Sequence, residues 1–411
     1  MTRNTDVLVV GGGATGAGIA RDLALRGVEV TLVERGGLAS GTSGRSHGLL
    51  HSGARYAEAD EVGARECIEE NRILRHIAGE CIRDTGGLFV QLEGDDPGYF
   101  DAKRAACEDI GIPTETLSGE EIRAEIPDLS AGVERVMKVP DGVVYPSRLV
   151  AANAADARDH GATILTDAPV EGMRVEGGEV VAVAVGGSVD DTIEATHVVN
   201  AAGAWAGELG EMAGVDVELR PTKGVMVSVD YEGLGPVLNR ARDPEDGDIV
   251  VPHDGEVVLG TTSVEVDDPD DYPQDAEEVV AMREECGKML PAVADAEQRR
   301  VWWGVRPLYA PDEDSRGGAR GISRGFFVLD HAEEGVENLT SVVGGKLTTY
   351  RQMAEATADR VCDRLGVEAA CETAEKRLPG ADDPEQLDRF VAAFGEAQPT
   401  DEDVVRGRAD D

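Results

Sequence analysis

Apolar and polar positions change rhythm along this chain, and each change marks an element. Residues 6–10, "DVLVV", are an apolar run too short for a helix, which predicts a buried strand. Glycines follow at once, and Ile19, Leu23 and Leu25 then recur on one face of a predicted helix that ends at Gly27. A second run, "VEVTLV" (28–33), predicts the next strand and delivers Glu34 at its end. Farther on, "VMVSVD" (225–230), "DIVVP" (248–252) and "EVVLGTT" (256–262) alternate as strands of an antiparallel sheet do. The turn "HDGE" (253–256) joins two of them. "HVVNAAGAWA" (197–206) reads as a buried strand ending in small residues. "VENLTSVVGGKLTTYR" (336–351) reads as an apolar strand, a two-glycine turn and a helix from about Leu347–Thr348.

The first of these stretches carries chemistry. Gly11, Gly13 and Gly16 occupy the three glycine positions of G-x-G-x-x-G between a strand and a helix. Gly11 permits the tight turn, Gly13 lets backbone approach a pyrophosphate, and Gly16 allows helix and strand to pack closely. The helix N-terminus offers unsatisfied N–H groups and its positive dipole end to that pyrophosphate. Glu34, at the end of the second strand, is placed to accept hydrogen bonds from an adenosine ribose. Strand, turn, helix, strand and acid arrive in order within about 30 residues, which predicts a dinucleotide site. The next stretch, "RGGLASGTSGRSHGLLHSGARY" (35–56), is rich in Gly, Ser and Thr and suits a long cofactor wrapped by backbone N–H and hydroxyl groups. An NAD enzyme would more often go straight into the next βα unit, so this stretch and the small residues at 201–204 favour FAD.

Composition narrows the function. At 411 residues the chain is long enough for two cores. Its formal net charge is −42, and its only lysines are Lys103, Lys138, Lys223, Lys288, Lys346 and Lys376. Such a surface repels nucleic acid and anionic lipid. Dense carboxylates with few lysines imply a salt-rich cytoplasm that screens self-repulsion. The opening residues run straight into a strand, leaving no room for a signal peptide, and no apolar run reaches membrane-spanning length. The six cysteines are scattered without a C-x-x-C pair, so no metal or iron–sulfur site is expected.

The runs "GTSGRSHGLLHSGARY" (41–56), "ARECIEEN" (64–71), "MKVPDG" (137–142), "GVRPL" (304–308), "LDHAEEG" (329–335) and "GGKLTTYR" (344–351) make the chain resemble the FAD-dependent glycerol-3-phosphate dehydrogenases over roughly its first 380 residues. It is most similar to the catalytic large subunit of the anaerobic enzyme. The resemblance implies an α/β flavoprotein like the D-amino-acid oxidases, with a Rossmann-type FAD-binding domain and a mostly antiparallel β-sheet substrate domain. It implies a discontinuous FAD domain (1–85, 140–215 and 325–370), a substrate domain (86–139 and 216–324) and a short acidic C-terminal extension (371–411). The implied reaction is oxidation of sn-glycerol 3-phosphate to dihydroxyacetone phosphate, with hydride passing to flavin N5 and electrons onward to a partner subunit or a quinone. The expected location is cytoplasmic, at the membrane's inner face through membrane-anchor and iron–sulfur partner subunits. The same scaffold also serves amine and 2-hydroxy-acid oxidoreductases, and a flavin-holding subunit without turnover is a third reading.

Site residues follow from the same motifs. Arg306, after the apolar strand "VWWGV", matches a substrate-gripping arginine, against the plainer reading of an arginine paired to a carboxylate. Lys346, in "GGK" before a helix, matches an active-site lysine, with Thr349 assisting and Arg351 an exposed or ion-paired helix residue. Arg55 and Tyr56 match the substrate pocket, and His51 is either a base or a histidine bonded to backbone. For the cofactor, Gly11, Gly13, Gly16, Glu34, Arg35, Thr42, Ser43, Gly44, His47, Gly48, Ala202, Gly203, Gly345, Lys346 and Leu347 are the expected residues, and no metal ligands are expected. Two departures stand out. Aerobic relatives carry a histidine where this chain offers Asn239 and Arg240, and the anaerobic type also lacks that histidine; His253 in the turn is too far along to replace it. The anaerobic subunit continues into a cysteine-rich iron–sulfur domain, whereas this chain ends in a short helix and an acidic tail. The charge reading predicts that the urea unfolding midpoint rises steeply as KCl goes from about 0.1 to about 3 M; equal stability across that series would overturn it.

Overall fold

The computed structural model describes residues 1–309 and 325–406. Two stretches of the expected domains, 310–324 and 407–411, lie outside the described residues. The strand Thr2–Val10 shows why the opening run is apolar at every position. Val7 and Val9 face one core, with Ile19, Leu23, Leu149 and Val361, while Leu8 and Val10 face another, with Val180, Val198 and Leu339. A strand covered on both faces needs no polar alternation.

Around it, five strands run parallel in the order Thr163–Leu165, Val30–Val33, Thr2–Val10, Asp191–Asn200 and Leu339–Gly344. The hairpin Val170–Glu176 and Glu179–Val185 joins antiparallel at one side, and Phe326–Asp330 pairs antiparallel with Leu339–Gly344. Helix Ala14–Leu25 packs between Pro146–Asp159 and Tyr350–Leu365 on one face. This is the doubly wound arrangement of nucleotide-binding sheets, with its ligand-facing edge at the carboxyl ends of the parallel strands.

Among the described residues the second sheet has nine strands and is antiparallel except where Val237–Arg240 runs beside Gly87–Leu92. Leu219–Asp230 is its spine, pairing with Glu256–Gly260 and along its whole length with Gln298–Tyr309. Val225, Val227 and Val229 face the helix Ala276–Gly287 through Met282 and Cys286. Both faces of these strands are covered. Met226, Ile249, Val251 and Val258 turn the other way and pack on Leu49, Val143 and Tyr145, from the segments beside the first sheet.

The acidic C-terminal segment is part of the body. Leu378, Leu387, Val391, Phe394 and Val405 enter the first core. Arg148, 1 % exposed, pairs through Nε and Nη2 with Asp388 at 2.6 and 2.9 Å. Thr400 Oγ1 donates to the Gly44 carbonyl at 2.8 Å, and Asp401 accepts from Ser147 N and Oγ at 2.9 and 2.6 Å. Burial pushes the Asp401 carboxyl up to about 6. The sequence reading expected a short helix and an acidic tail here; the helix is Pro384–Ala393, and its apolar face is part of the first core. All six cysteines are free thiols and five are buried, with burial pushing the Cys67 thiol up to about 12. Among the described residues no helix is long and apolar enough to cross a membrane.

Candidate active site

The glycine fingerprint builds the site's first wall. Gly11 has φ +114°, and a β-carbon there would stand 2.4 Å from the Ala201 carbonyl oxygen. A β-carbon on Gly16 would stand 1.9 Å from the Gly11 carbonyl oxygen, so helix Ala14–Leu25 lies tight against the strand. Gly13 differs: among the described residues, the one atom near its absent β-carbon is Ser43 Oγ at 3.2 Å. Space therefore opens in front of a helix N-terminus whose N-cap residue, Gly13, has no side chain to cap it and whose first turn holds no acidic residue. That is a cradle for an anionic pyrophosphate.

In front of it lies a cavity of about 940 Å³. Gly11, Gly13, Glu34, Arg35, Thr42, Ser43, Ala202 and Gly203 line one part of it, and His47, His51, Arg55, Tyr56, Arg306, Gly345, Lys346 and Leu347 line another. Gly16, Gly44, Gly48 and Thr349 are not among the lining residues. Gly16 works behind the wall, through packing. Gly44 backs onto the C-terminal segment, where a β-carbon would stand 2.3 Å from Gln398 Cβ. Gly48, at φ +73°, passes its carbonyl to Val144 N at 2.7 Å. Thr349 is 1 % exposed and its hydroxyl closes the turn on the Lys346 carbonyl at 3.2 Å.

Several expected contacts are already engaged within the protein. Glu34 Oε2 accepts from Gly12 N at 2.6 Å and Oε1 from Gly36 N at 3.0 Å, which aims the carboxylate and leaves it further lone pairs. Ser43 Oγ accepts from Ala14 N at 3.0 Å, tying the wrapping loop to the helix start. Thr42 Oγ1 donates to the Val305 carbonyl, tying the same loop to the second sheet. Arg35 pairs with Asp270 through both terminal nitrogens at 2.8 Å and lies 4.1 Å over the Trp205 ring, so its charge is held by the second domain.

The cationic part comes from three distant segments. Arg306 sits opposite Thr222 in the sheet, and its Nη2 donates to Thr261 Oγ1 at 3.1 Å and to the Thr262 carbonyl at 3.2 Å. Lys346 follows two glycines at φ +79° and +75° and precedes the turn Leu347–Thr349 and helix Tyr350–Leu365. Its ammonium lies 4.7 Å from the Tyr56 ring centroid. Arg55 Nη2 lies 3.7 Å from Asp248, which itself accepts from Arg242 Nε at 2.9 Å. His51 Nε2 and Tyr56 OH are 3.5 Å apart, while His51 N donates to Thr348 Oγ1 at 3.0 Å. His51 thus has a tethered backbone and a ring on the cavity. Arg351 is ion-paired and buried, with Nε and Nη2 on Glu70.

Asn239 and Arg240 do not line the cavity. Asn239 Nδ2 donates to Asp141 at 3.1 Å, and Arg240 pairs bidentately with Asp95 at 3.1 and 2.7 Å. His253 is 5 % exposed, and its Nε2 lies 3.3 Å from the His47 carbonyl oxygen, so it braces the cofactor loop from behind. Residues that sequence reasoning passed over include Glu58, Tyr99 and Asp243 on the cavity, and Lys103 and Asp141 beneath its floor. Asp141 belongs to a quoted motif, "MKVPDG", but "PDG" reads as an ordinary turn.

Residues 6–351 match the model of the family described as FAD dependent oxidoreductase. The A1 subunit of the anaerobic glycerol-3-phosphate dehydrogenase of Haloferax volcanii is 51% identical, over 97% of this chain and 70% of that one. The corresponding subunit of the Escherichia coli anaerobic enzyme is 45% identical, over 94% and 72%. Among solved structures, the glycerol-3-phosphate dehydrogenase of Bacillus halodurans complexed with FAD superposes with a TM-score of 0.69 at 26% identity, over 99% of this chain and 79% of that one.

Burial lowers the His253 pKa to about 4, so its ring is neutral in the folded protein at neutral pH. Below about pH 6.5 the unfolded chain takes up a proton there that the folded chain refuses. Stability from this group is therefore full above that pH and is lost as pH falls toward 4. The difference in unfolding free energy between wild type and His253→Gln should shrink by on the order of 3 kcal/mol from about pH 7 to about pH 4 in urea titrations. A pH-independent difference would show that the ring titrates normally.

Proposed function

The chain belongs to the family of FAD-dependent oxidoreductases, and within it we propose that the protein oxidises sn-glycerol 3-phosphate to dihydroxyacetone phosphate. One observation carries the reading: Arg55, Arg306 and Lys346, from three distant segments, line the same cavity as the dinucleotide fingerprint. One cation suffices for the carboxylate of an amino or hydroxy acid. Three suit a phosphate dianion together with an alcohol oxygen that gains negative charge as it loses its proton. The similarity to glycerol-3-phosphate dehydrogenases supports the same substrate.

Oxidation of a secondary alcohol removes the hydroxyl proton and the hydride on the same carbon. Bound FAD supplies the hydride acceptor. The residues here fit that group: the helix N-terminus and the gap in front of Gly13 for its pyrophosphate, and Glu34 for its adenosine ribose. Arg55 and Arg306 hold the phosphate, with fork-shaped donors that stay charged at any working pH. Lys346 stabilises negative charge as it develops on the reacting oxygen. His51, with Tyr56 OH beside its Nε2, takes the hydroxyl proton, since imidazole titrates near neutrality. Electrons then leave for a quinone, directly or through partner subunits, since the similar proteins are named as subunits of an anaerobic enzyme.

Anaerobic addition of sn-glycerol 3-phosphate should bleach the flavin absorbance of the holoprotein. Bleaching only by an amino acid or hydroxy acid would move the substrate class, and no bleaching by any donor would mark a flavin-holding protein without turnover. Arg306→Ala should both raise KM and lower kcat, with kcat/KM down about 100-fold or more, because the charge also serves the transition state. Wild-type kinetics in that variant would remove Arg306 from the site.

A further inference from the structure

The segment 51–56 puts three side chains on the cavity, His51, Arg55 and Tyr56, and has no regular secondary structure to hold it. Its backbone is pinned by side chains from elsewhere. The deepest pin is Asp141, 3 % exposed, whose Oδ1 accepts from Ser52 N at 2.7 Å. Its Oδ2 accepts from Asn239 Nδ2 at 3.1 Å, and Asn239 is itself fully buried. The fit is tight, since a β-carbon on Gly87 would stand 2.6 Å from Asp141 Oδ2. On the other side of the loop, Lys103 Nζ donates to the Ala54 carbonyl at 3.0 Å. Asp141 does not line the cavity, so anything it does for substrate it does through the loop.

We propose that Asp141 is a positioning residue, whose carboxylate holds the Ser52 N–H and thereby sets the loop that turns Arg55, Tyr56 and His51 toward the substrate. The proposal rests on the cavity being the substrate site, as read above. An unsupported N–H in this dry interior would seek another acceptor, and the loop would shift to give it one. A shift of about an ångström at Arg55 or His51 is enough to spoil the alignment of phosphate, hydroxyl and base. The hydrogen bond is the essential element. The Asp141→Asn side chain can supply it through its amide oxygen. Its new NH2 group then faces Asn239, which can turn its own amide and accept through an Oδ1 that, among the described residues, has no hydrogen-bond partner.

Two holoenzyme variants, Asp141→Ala and Asp141→Asn, test this by three readouts: flavin content, kcat/KM for sn-glycerol 3-phosphate, and inorganic phosphate affinity from perturbation of the flavin spectrum. Asp141→Ala should keep its flavin, lose about 10- to 100-fold in kcat/KM and bind phosphate about tenfold more weakly. Asp141→Asn should restore both to within about fivefold of wild type. Wild-type behaviour of the alanine variant, or an asparagine variant as impaired as the alanine one with flavin retained, would overturn the proposal. If the alanine variant does not fold, Asp141→Glu replaces it: the same charge displaced by a methylene should cost about tenfold in kcat/KM, and wild-type kinetics there overturn the proposal too. The phosphate arm needs no turnover. Should glycerol 3-phosphate fail to bleach the wild-type flavin, the substrate reading falls, while phosphate binding still reports where Asp141 holds Arg55.

Discussion

Helix Ala14–Leu25 begins where it does because nothing stands between it and the first strand. The Gly11 carbonyl oxygen occupies the space a β-carbon of residue 16 would need, 1.9 Å away. That approach brings the helix N-terminus to the carboxyl edge of the parallel sheet, with open space in front of Gly13. The cofactor's pyrophosphate is thereby assigned a place, and the remaining elements arrange themselves about it. The loop 35–48 wraps the same space, tied to the helix by Ser43, to the second sheet by Thr42 and to the C-terminal segment through the Thr400 bond to Gly44.

A chain of net charge −42 needs a cation-rich cavity to bind a phosphorylated substrate, and the carboxylates around it are managed accordingly. Asp248 beside Arg55 is shared with Arg242, which lessens its claim on Arg55. Glu58, on the cavity wall, is held by the buried ammonium of Lys103 at 2.6 and 2.7 Å and by the Tyr99 hydroxyl. Asp270 holds Arg35 and the Trp205 indole at 2.9 Å, fastening the two domains together where the cofactor cavity begins. These carboxylates near the site each have a named donor, which offsets part of their charge where the three cations meet the cavity.

How much of this was legible in the sequence depends on distance along the chain. The strand–glycine–helix–strand–Glu34 unit spans about 30 consecutive residues, so its geometry is local and its pattern is sufficient. The alternation at 225–262 showed the strands of the second sheet, but it did not show that Met226, Ile249 and Val258 turn onto a second core. Nor did the sequence show that the helix Pro384–Ala393, with Leu387 and Val391 four apart on one face, packs into the first core, because the helix it meets, Pro146–Asp159, lies far back in the chain.

By itself, the sequence determined the dinucleotide unit, the two kinds of sheet and the family, because each rests on neighbours in the chain or on short unbroken motifs. Tertiary structure decided which cations share a cavity, and what holds them. Arg55 stands far before Arg306 and Lys346 in the chain, and only closure of the second sheet over the first brings the three together. Asp141 reaches Ser52 across 89 positions, Asp270 reaches Arg35 across 235, and Thr400 reaches Gly44 across 356. Hydrogen bonds of that span leave no periodicity in the chain. They exist because folding strips water from a backbone N–H or a charged side chain, and the nearest partner in space, not in sequence, must replace it.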